Sequence, residues 1–268
     1  RSTLFPYRRS SDLEFEGEEG AVEELWNRIL NAVHVEADND PIQEWTNLQE
    51  NFARREQILN THRFQKLHFE NEQGTDLWVE LVKNHLWAGG SEKTVAGVEF
   101  NPNMPTEEIF TMPKKTGVNG KVFATKPLDY NGTLIENFWF LFQDGKVVDF
   151  GAEQGYDTLS SLVHFDEGSC YLGEVALVPY ESPISKSGIL FLNTLFDENA
   201  SCHLALGDAY PMNVAGGVDM NEEQLKEAGA NHSMTHVDFM FGSPDMKITG
   251  VCEDGAEVAV FEQGNFVF

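Results

Sequence analysis

Two hydrophobic periods divide the chain. Between residues 21 and 62 apolar side chains recur at helical spacing. "AVEELWNRILNAV" places Val22, Leu25, Trp26, Ile29, Leu30 and Val33 on one stripe, which predicts an amphipathic helix. "DNDPIQEWTNLQENFARREQILNTHRF" predicts a second. Asp40 can cap it, Pro41 suits its first position, Gln43 completes a capping-box pattern, and Ile42, Trp45, Phe52 and Leu59 form its stripe. From residue 65 the period shortens to two. "KLHFENEQGTDLWVELV" predicts two strands around Gly74. "GKVFATKPLDYNGTLIENFWFLFQDGKVVDFGAE" predicts three, with turns at Tyr130–Gly132 and Asp144–Gly145. "YLGEVALVP" and "GILFLN" read as further strands, "GYDTLSSLVHF" and "NEEQLKEAG" as short helices. The tail from Met246 reads as a meander turning at Asp254–Gly255 and near Gly264. The fold class expected is α+β: a mixed, largely antiparallel sheet domain over residues 65–268, preceded by a helical segment over residues 1–64 packed on it.

Composition narrows the function. The net charge of −26 argues against nucleic acid and against anionic membranes, both of which require clustered Lys and Arg. An acidic surface instead concentrates cations, including metal ions and peptide amino termini. Cys170, Cys202 and Cys252 are odd in number and widely spaced, so a disulfide framework is absent and a reducing, cytoplasmic setting is expected. No secretory signal or membrane-spanning run is present, and the chain starts at Arg1 in a basic "RSTLFPYRRSS", the expected mark of a cut end within a longer protein.

Some carboxylates and imidazoles occupy unusual places. In "MTHVDFMFG", Thr235, Val237, Phe239 and Phe241 share one strand face, while His236, Asp238 and Met240 share the other. His236 and Asp238 would stand ~7 Å apart along the strand, within reach of one metal ion or two adjacent ones; the competing reading is a polar outer face. "NTLFDENASCHLALGDAYP" gathers Asp197, Glu198, His203 and Tyr210. If this stretch is helical, His203 and Tyr210 share a face and Gly207 leaves room beside the imidazole; otherwise it is a polar turn with a core histidine. Glu174 opens an apolar strand, and Glu108 lies between hydrophobic residues, although Thr106, Glu107 and Glu108 also read as a helix start. A buried carboxylate costs several kcal/mol unless a cation or hydrogen bonds compensate. Glu108, Glu174, Glu198, His203, His236 and Asp238 are too many ligands for one tetrahedral zinc and suit two divalent ions about 3.5–4 Å apart.

Longer stretches carry a resemblance. "PTEEIFTMP", "DEGSCYLGEVALVPYESPIS", "LFLNTLFDENASCHLALGDAYP", "NHSMTHVDFMFGSPDMKITG" and "NEQGTDLWVELVKNHLWAGG" closely resemble the aminopeptidase T family of metallopeptidases, in particular its aminopeptidase S/PepS branch. The likeness is densest from residue 66 to 250. It implies a two-metal site held by Glu108, Glu174 as the bridging ligand, His203, His236, Asp238 and, as a further ligand, Glu198, with Tyr210 as the active-site tyrosine. It further implies removal of single N-terminal residues from short peptides with a free N-terminus, and a homodimer. The resemblance implies family members longer at the N-terminus than this chain.

The residues suit that chemistry: one ion can polarise the scissile carbonyl, another can hold the α-amino group, and Tyr210 can donate to the oxyanion. Zinc, cobalt or manganese all fit imidazole plus carboxylate. Glu107 is a candidate general base, although alternation would point it away from its neighbour. Two rival classes are another two-metal hydrolase, such as a phosphoesterase, whose anionic substrate this charge would repel, and an inactive fragment or non-catalytic binding module.

Overall fold

The computed structural model describes residues 20–268; the basic opening stretch lies outside the described residues. Helix α1 (Ala21–Ala32) leads into α2 (Pro41–His62). Asp40 caps α2 as expected, accepting from the Ile42 and Gln43 N–H groups, and Pro41 takes the first turn. The capping box is not closed, because the Gln43 amide turns forward to Asn47 at 2.9 Å. Leu48, Phe52 and Leu59 of α2 enter the main core, whereas Ile42 is exposed. The stripe of α1 is narrower than its sequence suggests. Leu25, Ile29 and Ala32 pack on a small cluster with Ile184, Phe191 and Phe196, while Val22, Trp26 and Leu30 face outward.

The strands follow in chain order: β1 (Lys66–Glu70), β2 (Asp76–Leu81), β3 (Ala88–Gly89), β4 (Glu92–Lys93), β5 (Glu99–Phe100), β6 (Ile109–Thr111) and β7 (Pro113–Phe123). After β8 (Leu128–Tyr130), β9 (Thr133–Ile135), β10 (Trp139–Gln143) and β11 (Lys146–Gly151) comes helix α3 (Tyr156–Val163). The rest comprises β12 (Leu172–Leu177), α4 (Pro183–Ser187), α5 (Thr194–Asp197), β13 (His203–Gly207), α6 (Glu222–Ala228), β14 (His236–Met240), β15 (Lys247–Val251), β16 (Glu257–Glu262) and β17 (Asn265–Phe266).

Thirteen of these strands make an eight-stranded sheet, in the order β11-β10-β7-β2-β1-β15-β16-β17, and a five-stranded sheet, β14-β13-β12-β6-β3, while β4–β5 and β8–β9 are separate two-stranded pairs. Strand pairing is antiparallel in both. The inner faces share one core, where Phe239 of the small sheet and Phe241 just beyond β14 meet Phe140 and Phe69 of the large one. Expected turns recur: Asn131 with Gly132, and Asp144 with Gly145, all have positive φ.

Two sequence expectations fail here. The segment 188–193 is not a strand. Its Phe191 and Asn193 N–H groups donate to the Asp197 carboxylate at 2.7 and 3.0 Å, which removes the donors a strand ladder needs. The three strands expected between Gly120 and Glu153 are instead the end of β7, a separate β8–β9 hairpin, and the β10–β11 pair.

Candidate metal centre

The small sheet turns one face to the core and the other to a cavity. On β13, Leu204 and Leu206 point inward, and His203, Ala205 and Gly207 alternate to the cavity side. Antiparallel register sets Glu174 opposite Ala205 and Ala205 opposite Asp238, so three adjacent strands form one row. The methyl group at the centre of that row leaves room for the two carboxylates to approach over it. His236 stands opposite Gly207. Gly207 has φ +115, and a Cβ there would meet the Thr235 carbonyl at 2.0 Å, so it is required by the close approach of β14 rather than by space beside an imidazole.

The 193–211 stretch is therefore not one helix, and His203 and Tyr210 are not helix-face neighbours: His203 lies in a strand, and Tyr210 follows it. Both nevertheless line the cavity. Thr106–Glu108 runs directly into β6 without a helix, so it is not a helix start. Alternation sends Glu108 into the cavity and Glu107 the opposite way, where its buried carboxylate meets His34 Nε2 at 2.6 Å. Glu107 is thus excluded as a base acting inside the cavity.

Glu108, Glu174 and His203 offer ligand atoms that all lie within 4.8 Å of one another, and so do those of Glu174, His236 and Asp238. Glu174 belongs to both groups. Glu198, from the turn after α5, stands beside Asp238 and lines the same cavity. The cavity measures about 400 Å³, with Phe110, Tyr210 and Met212 as an apolar wall and Ala88–Gly90 beside them. Of that wall the sequence singled out Tyr210 alone; Phe110, Met212 and the β3 rim were missed, and the paired glycines at 89–90 were the available signal for the rim. A Cβ on Gly89 would lie 2.4 Å from the Glu108 carbonyl, so this glycine lets the rim pass against the Glu108 backbone.

Backbone groups fix both imidazoles. His203 Nδ1 lies 3.2 Å from the Ser201 carbonyl and His236 Nδ1 2.8 Å from the Asp208 carbonyl. A carbonyl can only accept, so each Nδ1 carries the proton and each Nε2 is turned to the carboxylates. His203 Nε2 is 2.9 Å from Glu108 Oε2 and 3.5 Å from Glu174 Oε1. His236 Nε2 is 3.3 Å from Asp238 Oδ1 and 3.7 Å from Glu174 Oε2. Despite these approaches, His203 Nε2 and Asp238 Oδ1 are buried atoms without an aligned hydrogen bond. Orphaned donors and acceptors aimed at a common point fit a cation between them.

The electrostatics agree. Burial, with Glu108 and Asp238 close by, pushes the Glu174 carboxyl up to about 7, against the pull of His203. Burial and the neighbouring Asp238 and Glu108 hold Glu198 well above its ordinary range. Burial works against a charged His236, but Asp238 and Glu174 outweigh it and raise it to about 9. His203 is likewise raised, burial being overcome by Glu108 and Glu174. The cluster is short of positive charge, and protons fill the deficit.

Residues 3–266 match the family described as thermophilic metalloprotease (M29). The chain belongs to the M29 family. It is 52% identical over 251 residues to aminopeptidase AmpS of Bacillus subtilis (strain 168), covering 94% of this chain and 61% of that protein. It is 50% identical over 251 residues to aminopeptidase 2 of Geobacillus stearothermophilus, covering 94% and 60%. The solved structure of wild-type AmpT from Thermus thermophilus superposes with a TM-score of 0.89 at 42% identity, over 96% of this chain and 62% of that one. This M29 chain therefore spans about three fifths of the length of its relatives. A 2,5-dihydroxypyridine dioxygenase from Pseudomonas putida KT2440 shares the fold alone, with a TM-score of 0.53 at 14% identity.

Proposed function

We propose that this M29 chain carries the catalytic centre of a metal-dependent aminopeptidase that removes single N-terminal residues from short peptides. The observation that carries the reading is Glu174, common to two ligand groups. Glu108, Glu174 and His203 would hold one divalent ion, and Glu174, His236 and Asp238 a second, with Glu198 supporting the Asp238 side. Bound ions would supply Lewis acidity and lower the pKa of water. Imidazole with carboxylate suits zinc, cobalt or manganese.

The chain's own groups supply the rest. Five carboxylates line the cavity, Glu92, Glu108, Glu174, Glu198 and Asp238, and would offset the charge that two divalent ions bring. The chain's net charge of −26 disfavours the anionic substrate of a phosphoesterase. Burial and the nearby Glu174 and Asp238 carboxylates push the Tyr210 hydroxyl pKa upward, so at working pH it keeps its proton and can donate to an oxyanion. Its ring, 4.7 Å from that of His236, places the phenol at the cavity's edge.

The reading extends to a division at residue 64, with a helical segment packed on a catalytic unit of residues 65–268; residues 1–19 of the 1–64 segment lie outside the described residues, and the entry of Leu48, Phe52 and Leu59 into the main core supports the rest. It also places the protein in the cytoplasm as a homodimer. Among the described residues no helix is long and apolar enough to cross a membrane, and all three cysteines are unpaired. The test is hydrolysis of an aminoacyl-p-nitroanilide before and after chelation, then with zinc, cobalt or manganese restored. Activity lost to the chelator and regained with metal is expected; metal-independent hydrolysis overturns the reading.

A further inference from the structure

The ligand-bearing segments come from distant parts of the chain, and something must set their spacing. Glu108 and Glu198 are joined through one side chain. Asn199 is 1% exposed, and its Oδ1 accepts the Glu107 N–H at 2.6 Å. Its Nδ2 donates to the Leu195 carbonyl at 2.8 Å, one turn back in the same helical stretch. That second bond fixes which way the amide faces, so the oxygen is turned to Glu107. The bonded N–H belongs to Glu107, the residue immediately before Glu108, and Asn199 itself immediately follows Glu198. On its other side the same Glu107 is held by His34 at 2.6 Å. Glu107 is therefore clamped, its side chain by the turn that follows α1 and its backbone N–H by the turn after α5.

We infer that Asn199 is a positioning residue of the metal centre: its amide sets the separation of Glu108 from the Glu198 turn, and so the aim of the Glu108 carboxylate at His203 and Glu174. The inference rests on the two-metal reading above. Asn199 touches neither ion nor substrate in this scheme; it acts through the Glu107 N–H. Groups hydrogen-bonded to the ligands themselves change metal affinity by about 10–100-fold when removed; Asn199 acts one residue away, which sets the expectation at the lower end of that range.

The test is titration of the metal-free chain with zinc or manganese alone, by calorimetry, for wild type, Asn199→Ala and Asn71→Ala. Asn71 makes comparable bonds to Thr75 N–H and Ser243 in the turn between β1 and β2, outside the cavity lining, and controls for lost stability. Asn199→Ala is expected to weaken one of the two ions at least tenfold, with activity recovering at excess metal, while Asn71→Ala binds as wild type. Should Asn199→Ala fail to fold, Asn199→Ser takes its place; its hydroxyl falls short of the Glu107 N–H, and the same weakening is expected. Unchanged affinity for both ions in the folded variant, or a loss matched by Asn71→Ala, overturns the positioning role and leaves the two-metal reading intact. A wild-type chain that takes up fewer than two ions overturns the two-metal reading itself and the inference with it.

Discussion

His203 Nε2 and Glu108 Oε2 lie 2.9 Å apart, and yet His203 Nε2 has no aligned hydrogen bond. The nitrogen is aimed between Glu108 and Glu174 rather than at either. Without a cation, protons hold the cluster together: His203 and His236 are raised, and Glu174 is raised to about 7. An ion needs neutral imidazoles and ionised carboxylates, so its binding must expel those protons. Metal affinity is therefore expected to rise with pH through neutrality toward about 9, where His236 loses its proton unaided. Calorimetric titrations in buffers of different ionisation enthalpy will count the protons released; zero release at pH 7 contradicts the assignment.

Glu174→Gln separates the two states. In the metal-free protein the substitution removes a charge that burial and two neighbouring carboxylates already disfavour, so the melting temperature should hold or rise. Both ligand groups lose their shared member, so the stabilisation that added metal gives the wild type should vanish. His236→Ala, by contrast, touches one group alone and should retain one ion. Thermal melts with and without metal, alongside metal content, decide between these outcomes.

Much of this site was legible where one strand carries it. The alternation of His236 and Asp238 against Phe239 and Phe241 predicted which face meets the cavity, and the structure agrees. β13 was harder to read. Ala205 and Gly207 are poor strand formers, and the seven-residue step from His203 to Tyr210 mimics a helix face. Their small size makes sense only once Glu174 and Asp238 are seen flanking Ala205 and the Thr235 carbonyl is seen against Gly207. "GILFLN" failed for a different reason: an apolar run reveals burial but not the destination of its backbone donors, which here is Asp197. The convergence of Glu108, Glu174 and His203 depends on the order of the sheet, which periodicity does not encode.

Tyr210→Phe removes one hydroxyl and keeps the ring against Phe110 and His236. No candidate ligand changes, so both ions should bind as in wild type. If the hydroxyl donates to an oxyanion that exists only in the transition state, kcat should fall by about 10²–10³-fold with KM little altered. Steady-state kinetics on an aminoacyl-p-nitroanilide, with metal content measured on the same sample, check both halves; unchanged kcat removes Tyr210 from the mechanism.

Asp166 supports the centre from a distance. It accepts from the Gly168 and Ser169 N–H groups at 2.8 Å each, from Met234 N–H at 2.7 Å, and from the Ser233 hydroxyl. These bonds tie residues 233–234 in place just before β14 presents His236. Burial opposes the charge, but the hydrogen bonds outweigh it and hold the carboxyl below its ordinary value. A carboxylate depressed on folding contributes stability above its unfolded pKa of about 3.9 and loses it as pH falls through the lower folded value. Asp166→Asn places an amide donor against Met234 N–H or the paired N–H groups, and should cost about 1–3 kcal/mol at pH 7. The gap between variant and wild type should then narrow as pH drops below about 4. Urea unfolding at pH 7 and at lower pH measures it; a gap independent of pH would show that the carboxylate's charge is not what anchors the turn.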